Sequence, residues 1–251
     1  MARAERIGVI VPAAGDGRRL GATQCKALVE LSARPLLSWA LAGVEANDRI
    51  DSVVVVAHAA SVDEVASLVA VGGFAKVRAV VAGGPTRRAS VAAGLEALPA
   101  GPGYVAVHDA CRPLLRPGAI DRLAELLDEL SGQKLRAHGV APGVAVTDTV
   151  RRVATGDRSA GIVDREELRM LQTPQVFVRA TLQEAHRRAA AGKLDGLETV
   201  DGTSDAVLLE RAGFPVVVVR GEPENLTIAT ALDLEVAEVL AARAVRGQAA
   251  R

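Results

Sequence analysis

The chain has 251 residues, 49% of them hydrophobic and 24% charged, which supplies a core for one packed domain and is too apolar for a disordered chain. Thirty lysines and arginines balance thirty aspartates and glutamates, and aromatics make up only 2%, which argues against a broad nucleic-acid face or a base-stacking platform. Apolar runs such as Val53-Val54-Val55-Val56 are too short to cross a membrane, no signal peptide is expected, and two separated cysteines form neither a disulfide framework nor a zinc site; the expectation is a cytoplasmic protein that handles a small ligand.

In chain order, β-branched apolar runs predict strands at 7–12, 52–57, 77–82, 104–108, 139–146 and 216–220. Helical periodicity predicts helices at 35–45, 62–71, 88–98, 117–130, 181–191, 204–212 and 231–244. Each of the first four strands leads to a helix, which favours right-handed parallel crossovers. The unbroken valines of the second strand fit a sheet covered on both faces. An α/β fold follows, with a mostly parallel sheet and helices on both sides, in a single domain over 1–246 with a flexible tail at 247–251. The stretch 144–171 breaks the rhythm with short alternating runs around Thr155-Gly156-Asp157, predicting a protruding two-stranded β-arm. An isolated hairpin is marginal in water, so the arm is expected to pack on a partner subunit or over the active site.

The most informative segment directly follows the first strand: Pro12-Ala13-Ala14-Gly15-Asp16-Gly17-Arg18-Arg19-Leu20-Gly21. Small residues let the backbone approach a ligand, and successive N–H groups form an anion nest. A Walker loop needs Gly-Lys-Ser/Thr, which is absent, and a dinucleotide fingerprint needs a small residue where Leu20 stands. No acidic residue closes the second strand either, which disfavours a nicotinamide enzyme. Arg18, Arg19 and Lys26 instead place three cations around the glycines, a pattern suited to a triphosphate. Lysine is scarce here, with only Lys26, Lys76, Lys134 and Lys193, so one placed in this loop stands out.

The segment PAAGDGRRLGATQCKALVEL resembles the signature of nucleotidyltransferases that join a nucleoside triphosphate to a sugar or polyol phosphate. Further segments narrow the resemblance: GGPTRRASVAAGL, VHDACRPL, TDTVRRV, DREELRMLQTPQVF and TSDAVLLE are similar, in order and spacing, to the 2-C-methyl-D-erythritol 4-phosphate cytidylyltransferase family. The resemblance implies a Rossmann-like sheet, CTP and a polyol phosphate as substrates, Mg²⁺ as cofactor, and a homodimer joined through the β-arm. It implies catalytic roles for Arg19 and Lys26 at the α-phosphate, and a metal on Asp109. Nucleotide contacts fall on Ala13, Ala14, Gly15, Gly17, Gly83, Gly84 and Ser90. Acceptor contacts fall on Arg112, Thr149, Arg165, Thr173 and Thr203, with Thr149 and Arg165 completing the neighbouring subunit's site. Arg87 and Arg88 read equally as phosphate neighbours or solvated helix residues.

Three positions depart from the family pattern. Cys25 replaces a proline before the catalytic lysine, which frees φ and predicts a more mobile loop. Cys111 replaces a common alanine, and Thr227 stands where a lysine is usual, removing a cation near the acceptor phosphate. Thr227 keeps open a cytidylyltransferase for another polyol phosphate such as ribitol 5-phosphate, and Cys25 together with Thr227 keeps open a nucleotide-binding regulator without catalysis.

Overall fold

The computed structural model describes residues 5–17, 20, 25–132, 136–194 and 204–249. Strand β1 (Ile7–Ala13) runs into the glycine loop, after which the short strands β2 (Glu30–Leu31) and β3 (Arg34–Pro35) lead to helix α1 (Leu36–Glu45). Strand–helix alternation continues through β4 (Ile50–Ala57), α2 (Val62–Val71), β5 (Val77–Ala82), α3 (Arg87–Ala97), β6 (Tyr104–Val107) and α4 (Ala119–Ser131). Five strands follow in β7 (Gly139–Ala145), β8 (Val150–Ala154), β9 (Arg158–Val163), β10 (Arg169–Leu171) and β11 (Gln175–Val178). The chain closes with α5 (Arg179–Ala190), α6 (Asp205–Arg211), β12 (Val216–Arg220) and α7 (Ala231–Ala249). Helix α7 passes the boundary expected at 244 and runs through Ala249.

The main sheet has the order β10-β7-β11-β6-β1-β4-β5, with β12 also paired to β7. Its centre is parallel, β6-β1-β4-β5, as the strand–helix alternation requires. Strand β11 enters antiparallel between β6 and β7, an element the sequence reading left out. Both β11 and β12 pair with Gly139 and Val140, so they occupy opposite edges of β7, and β10 extends the β11 edge.

The valine run of β4 shows why the sheet is covered twice. Val53 and Val55 belong to the buried layer that also holds Leu37 and Leu41 of α1, Val65 of α2 and Leu127 of α4, while Val54 and Val56 belong to the other layer, with Val91 and Leu95 of α3, Leu182 of α5 and Leu209 of α6. All four valines are fully buried, and each such side chain contributes about 1.5–3 kcal/mol of hydrophobic stabilisation. Helix α7 lies outside these layers, packing Ala237 and Ala241 on Leu31, Leu36 and Ile228. The carboxylate of Glu238 accepts the Ser32 N–H at 2.6 Å, tying this helix to the β2–β3 turn.

Strands β8 and β9 pair with each other off the main sheet, and their turn places Gly156 and Asp157 at φ of 76° and 57°. This is the predicted arm, with its tip at the predicted turn. Two of its apolar side chains, Val153 and Ile162, are 63% and 70% exposed. Among the described residues no helix is long and apolar enough to cross a membrane.

Candidate active site

A cavity of about 360 Å³ opens beyond the carboxyl ends of β1, β5 and β6, the region where open α/β sheets bind ligands. Ala13, Ala14, Gly15, Gly17 and Lys26 line one wall. The Lys26 N–H donates to the Gly15 carbonyl at 2.9 Å, so the loop closes on itself and carries the half-buried lysine to the cavity. Gly17 sits at φ +68°, where a Cβ is disfavoured. Cys25 keeps φ at −53°, inside the range a proline imposes, so the backbone angle there is the one the missing proline would set. Its buried thiol donates to the Ala13 carbonyl at 3.1 Å, an anchor that the sequence did not suggest. Burial raises its pKa and keeps it protonated, a poor nucleophile.

The opposite wall is built at the start of α3. Thr86 caps the helix, its Oγ1 accepting the Ala89 N–H at 3.1 Å, and the Ser90 hydroxyl donates to the Thr86 carbonyl at 3.0 Å. Gly84 and Ser90 line the cavity. Gly83 lies just behind: a Cβ there would fall 2.7 Å from Ser90 Oγ and 3.1 Å from Ala14 Cβ, so only glycine lets the first loop and α3 meet. Gly84 is held to glycine in the same way, since a Cβ there would clash with the Ala89 Cβ.

Asp109, two residues past the end of β6, lines the cavity with Asp16 as one of its two carboxylates. Its N–H donates to Thr173 Oγ1 at 3.0 Å. The Thr173 hydroxyl in turn lies 3.4 Å from Nδ1 of His108, whose Nε2 lies 3.1 Å from the Arg112 carbonyl. A carbonyl only accepts, so Nε2 carries the proton and Nδ1 accepts from Thr173. Burial pushes the His108 pKa down to about 4, which keeps the ring neutral and this chain of bonds intact. On its side-chain side, Asp109 Oδ1 accepts from Arg87 Nη2 at 3.1 Å, while Arg87 Nη1 donates to Asp205 Oδ2 at 2.7 Å. Asp205 is 2% exposed, and its other oxygen lies 3.3 Å from His186 Nε2. Burial opposes the Arg87 charge, but Asp205 and Asp109 outweigh it and raise the guanidinium's pKa. Burial likewise opposes the Asp205 charge, but Arg87 and His186 hold this carboxyl below its usual range.

Of the sequence-predicted positions, Ala13, Ala14, Gly15, Gly17, Lys26, Gly84, Ser90 and Asp109 converge on this one cavity. Arg112 sits beside it, with Nη1 donating to the Asn225 carbonyl at 2.7 Å and Nη2 to the Leu171 carbonyl at 3.3 Å. Thr173 lies beneath the cavity, 3% exposed, with its hydroxyl directed at His108 and the Asp109 N–H. Thr149 and Arg165 belong to the exposed arm region and do not line the cavity, and Arg165 Nη1 donates to the Thr147 carbonyl at 2.6 Å. Arg19 and Thr203 lie outside the described residues. The two departures Cys111 and Thr227 touch each other, Sγ to Oγ1 at 3.2 Å, so they form one local change. Asp205 was not singled out from sequence, because an Asp in the first turn of a helix has an ordinary role there.

A divalent cation is implied by the resemblance, and the donor set can be tested against it. Asp109 and Asp16 bring hard carboxylates to the cavity, and no group of three or more metal-binding side chains occurs among the described residues. That fits Mg²⁺, which takes one or two carboxylates and completes its shell with substrate phosphates and water.

A family model described as 2-C-methyl-D-erythritol 4-phosphate cytidylyltransferase matches residues 7–243. The chain belongs to the 2-C-methyl-D-erythritol 4-phosphate cytidylyltransferase family. The family enzyme of Streptomyces coelicolor is 39% identical over 95% of this chain and 86% of its own. The crystal structure of the cytidylyltransferase from Thermus thermophilus superposes with a TM-score of 0.68 at 30% identity, over 92% of this chain and 97% of that one. The 4-diphosphocytidyl-2C-methyl-D-erythritol synthase of Anaerococcus prevotii shares the fold, with a TM-score of 0.76 at 23% identity over 95% and 99% of the two chains. The Rossmann-like α/β fold expected from sequence is the fold of this cytidylyltransferase family.

Proposed function

We propose that the protein transfers the cytidylyl group of CTP to 2-C-methyl-D-erythritol 4-phosphate, releasing pyrophosphate and forming CDP-methylerythritol for isoprenoid biosynthesis. The observation that carries this reading is the convergence of Lys26, Ser90 and Asp109 on one cavity with Ala13, Ala14, Gly15, Gly17 and Gly84. Backbone groups and the Ser90 hydroxyl suit the edge of a cytosine, and the glycine loop suits a polyphosphate. An oxygen of the acceptor phosphate attacks the α-phosphorus in line as the bond to the pyrophosphate oxygen breaks. The acceptor phosphate is already ionised near neutral pH, so no general base is needed. This suits a neutral, fully buried His108, which is a structural support. Lys26, with Arg19 of the same loop, stabilises the charge that gathers on the α-phosphoryl oxygens. Asp109 would hold Mg²⁺, which when bound neutralises triphosphate charge.

The exposed Val153 and Ile162 of the arm support a homodimer in which Thr149 and Arg165 serve the neighbouring site. Two free cysteines support work in the reducing cytoplasm. The test is pyrophosphate release from each of the four nucleoside triphosphates with methylerythritol phosphate and with ribitol 5-phosphate. Fastest turnover with CTP and methylerythritol phosphate is expected. A preference for another nucleotide or for ribitol phosphate overturns the assignment.

A further inference from the structure

Arg87 opens α3, where the helix dipole disfavours a positive charge, and it is mostly buried. Its place is explained by the two carboxylates it bridges. The terminal nitrogens of one planar guanidinium go to different acids, Nη1 to Asp205 and Nη2 to Asp109. A planar fork fixes direction as well as distance, so wherever Asp205 holds Arg87, the Asp109 carboxylate is held too. Arg87 engages Oδ1 of Asp109, and Thr173 pins the same residue's N–H from below. Asp205 does not line the cavity and is closed off from solvent, yet it lies one side chain from the Asp109 carboxylate. An ion pair needed only for stability would do as well with apolar residues of the same volume, so a chain that ends on a cavity carboxylate calls for another role.

We propose that Asp205 is a positioning residue for the cytidylyl transfer: it locks the Arg87 guanidinium, which engages one oxygen of Asp109 and so fixes the carboxylate that would hold the cation. This rests on the reading of Asp109 as the cation's carboxylate. Asp109 then needs no reorganisation when the nucleotide arrives, and neither Arg87 nor Asp205 takes part in bond making.

The test compares Asp205→Asn, the pair Arg87→Gln with Asp205→Asn, and Asp109→Asn, in the full-length protein. Turnover is measured per folded molecule, well below each melting point, and CTP affinity is measured by calorimetry with Mg²⁺ and with EDTA. Asp205→Asn leaves a buried arginine short of a partner and is expected to lower Tm. The double variant removes both charges and regains Tm, which separates folding from positioning. It is expected to keep kcat lowered about tenfold to a hundredfold and to lose most of the Mg²⁺-dependent gain in CTP affinity, so that the KM for CTP in Mg²⁺ rises while the affinity in EDTA stays at the wild-type value. Wild-type turnover or an intact Mg²⁺ gain in the double variant overturns the proposal. Asp109→Asn with wild-type turnover and Mg²⁺ gain removes the reading of Asp109 and the proposal with it. An impaired Asp109→Asn beside a fully active double variant removes only the Arg87–Asp205 link.

Discussion

Gly94 lies in the middle of α3, and replacing it with alanine sets two effects of opposite sign against each other. Helix propensity favours the change by about 1 kcal/mol. Packing opposes it: the new Cβ would stand 2.5 Å from Ile10 Cγ2 and 3.0 Å from Val56 Cγ2. Carbon atoms pack best about 3.5–4.0 Å apart, so the closer contact is short by about 1 Å. Ile10 and Val56 are fully buried in β1 and β4, and these branched methyls have no flexible stem to swing away. The helix must lift from the sheet, and overpacking of this kind costs about 1–3 kcal/mol. Because both methyls are hit at once, the upper part of that range applies, leaving a net loss of about 1–2 kcal/mol. At about 2–4 °C per kcal/mol for a chain of this size, Tm falls by about 2–8 °C. The same helix carries Arg87 and Ser90 at its first turn, so the KM for CTP rises together with the loss of stability. A thermal melt and a CTP titration of Gly94→Ala measure both. A Tm equal to or above wild type would mean that the sheet yields to the methyl, and the account of how α3 is positioned would fail.

Lys26→Ala should lower kcat about a hundredfold, roughly 3 kcal/mol of transition-state stabilisation, with Tm within a few degrees of wild type; steady-state pyrophosphate release checks it, and unchanged turnover removes the lysine from the chemistry. The Asp205 carboxyl is held below its usual range, so its contribution to stability is present above the unfolded pKa of about 3.9 and is lost as pH falls below it. The Tm margin of wild type over Asp205→Asn should therefore be flat from neutral pH down to about 5 and shrink below about 4; a margin that widens with acid contradicts the assigned ion pair. Cys111 lines the cavity and Cys25 is buried, so a thiol reagent should label Cys111 first and CTP should slow that labelling, as peptide mapping can show. Fast labelling of Cys25 would contradict its anchoring to Ala13.

Much of the α/β framework is legible in the residues themselves. The helix at 62–71 and the strands at 77–82 and 216–220 match their observed bounds, because each is a clean apolar run closed by turn residues. The arm is legible for the same reason, through the turn at Thr155-Gly156-Asp157. Strand β11 is not: four residues beginning with Gln175 and preceded by Pro174 read as loop, and only pairing with β6 and β7 makes them central. The cavity's glycine loop, Lys26 and Asp109 stand out through unusual composition at a strand end. The partnership of Arg87 with Asp205 spans 118 positions, and nothing local to either residue encodes it. The anchoring of Cys25 is hidden similarly, since a lost proline says nothing about which atom will take over its restraint.

The turn at the root of the arm has a consequence of its own. Gln172 directly follows β10 and is fastened on every side: its N–H donates to the Pro142 carbonyl at 2.7 Å, its amide donates to the Glu222 carbonyl at 2.7 Å, and its side-chain oxygen accepts the Glu222 N–H at 3.0 Å. The next residue is Thr173, which steadies Asp109. A displacement of the hairpin would therefore meet this riveted base before it reached the cavity. Such insulation lets the tip of the hairpin around Gly156 vary in sequence while the cavity one residue beyond its base keeps its geometry.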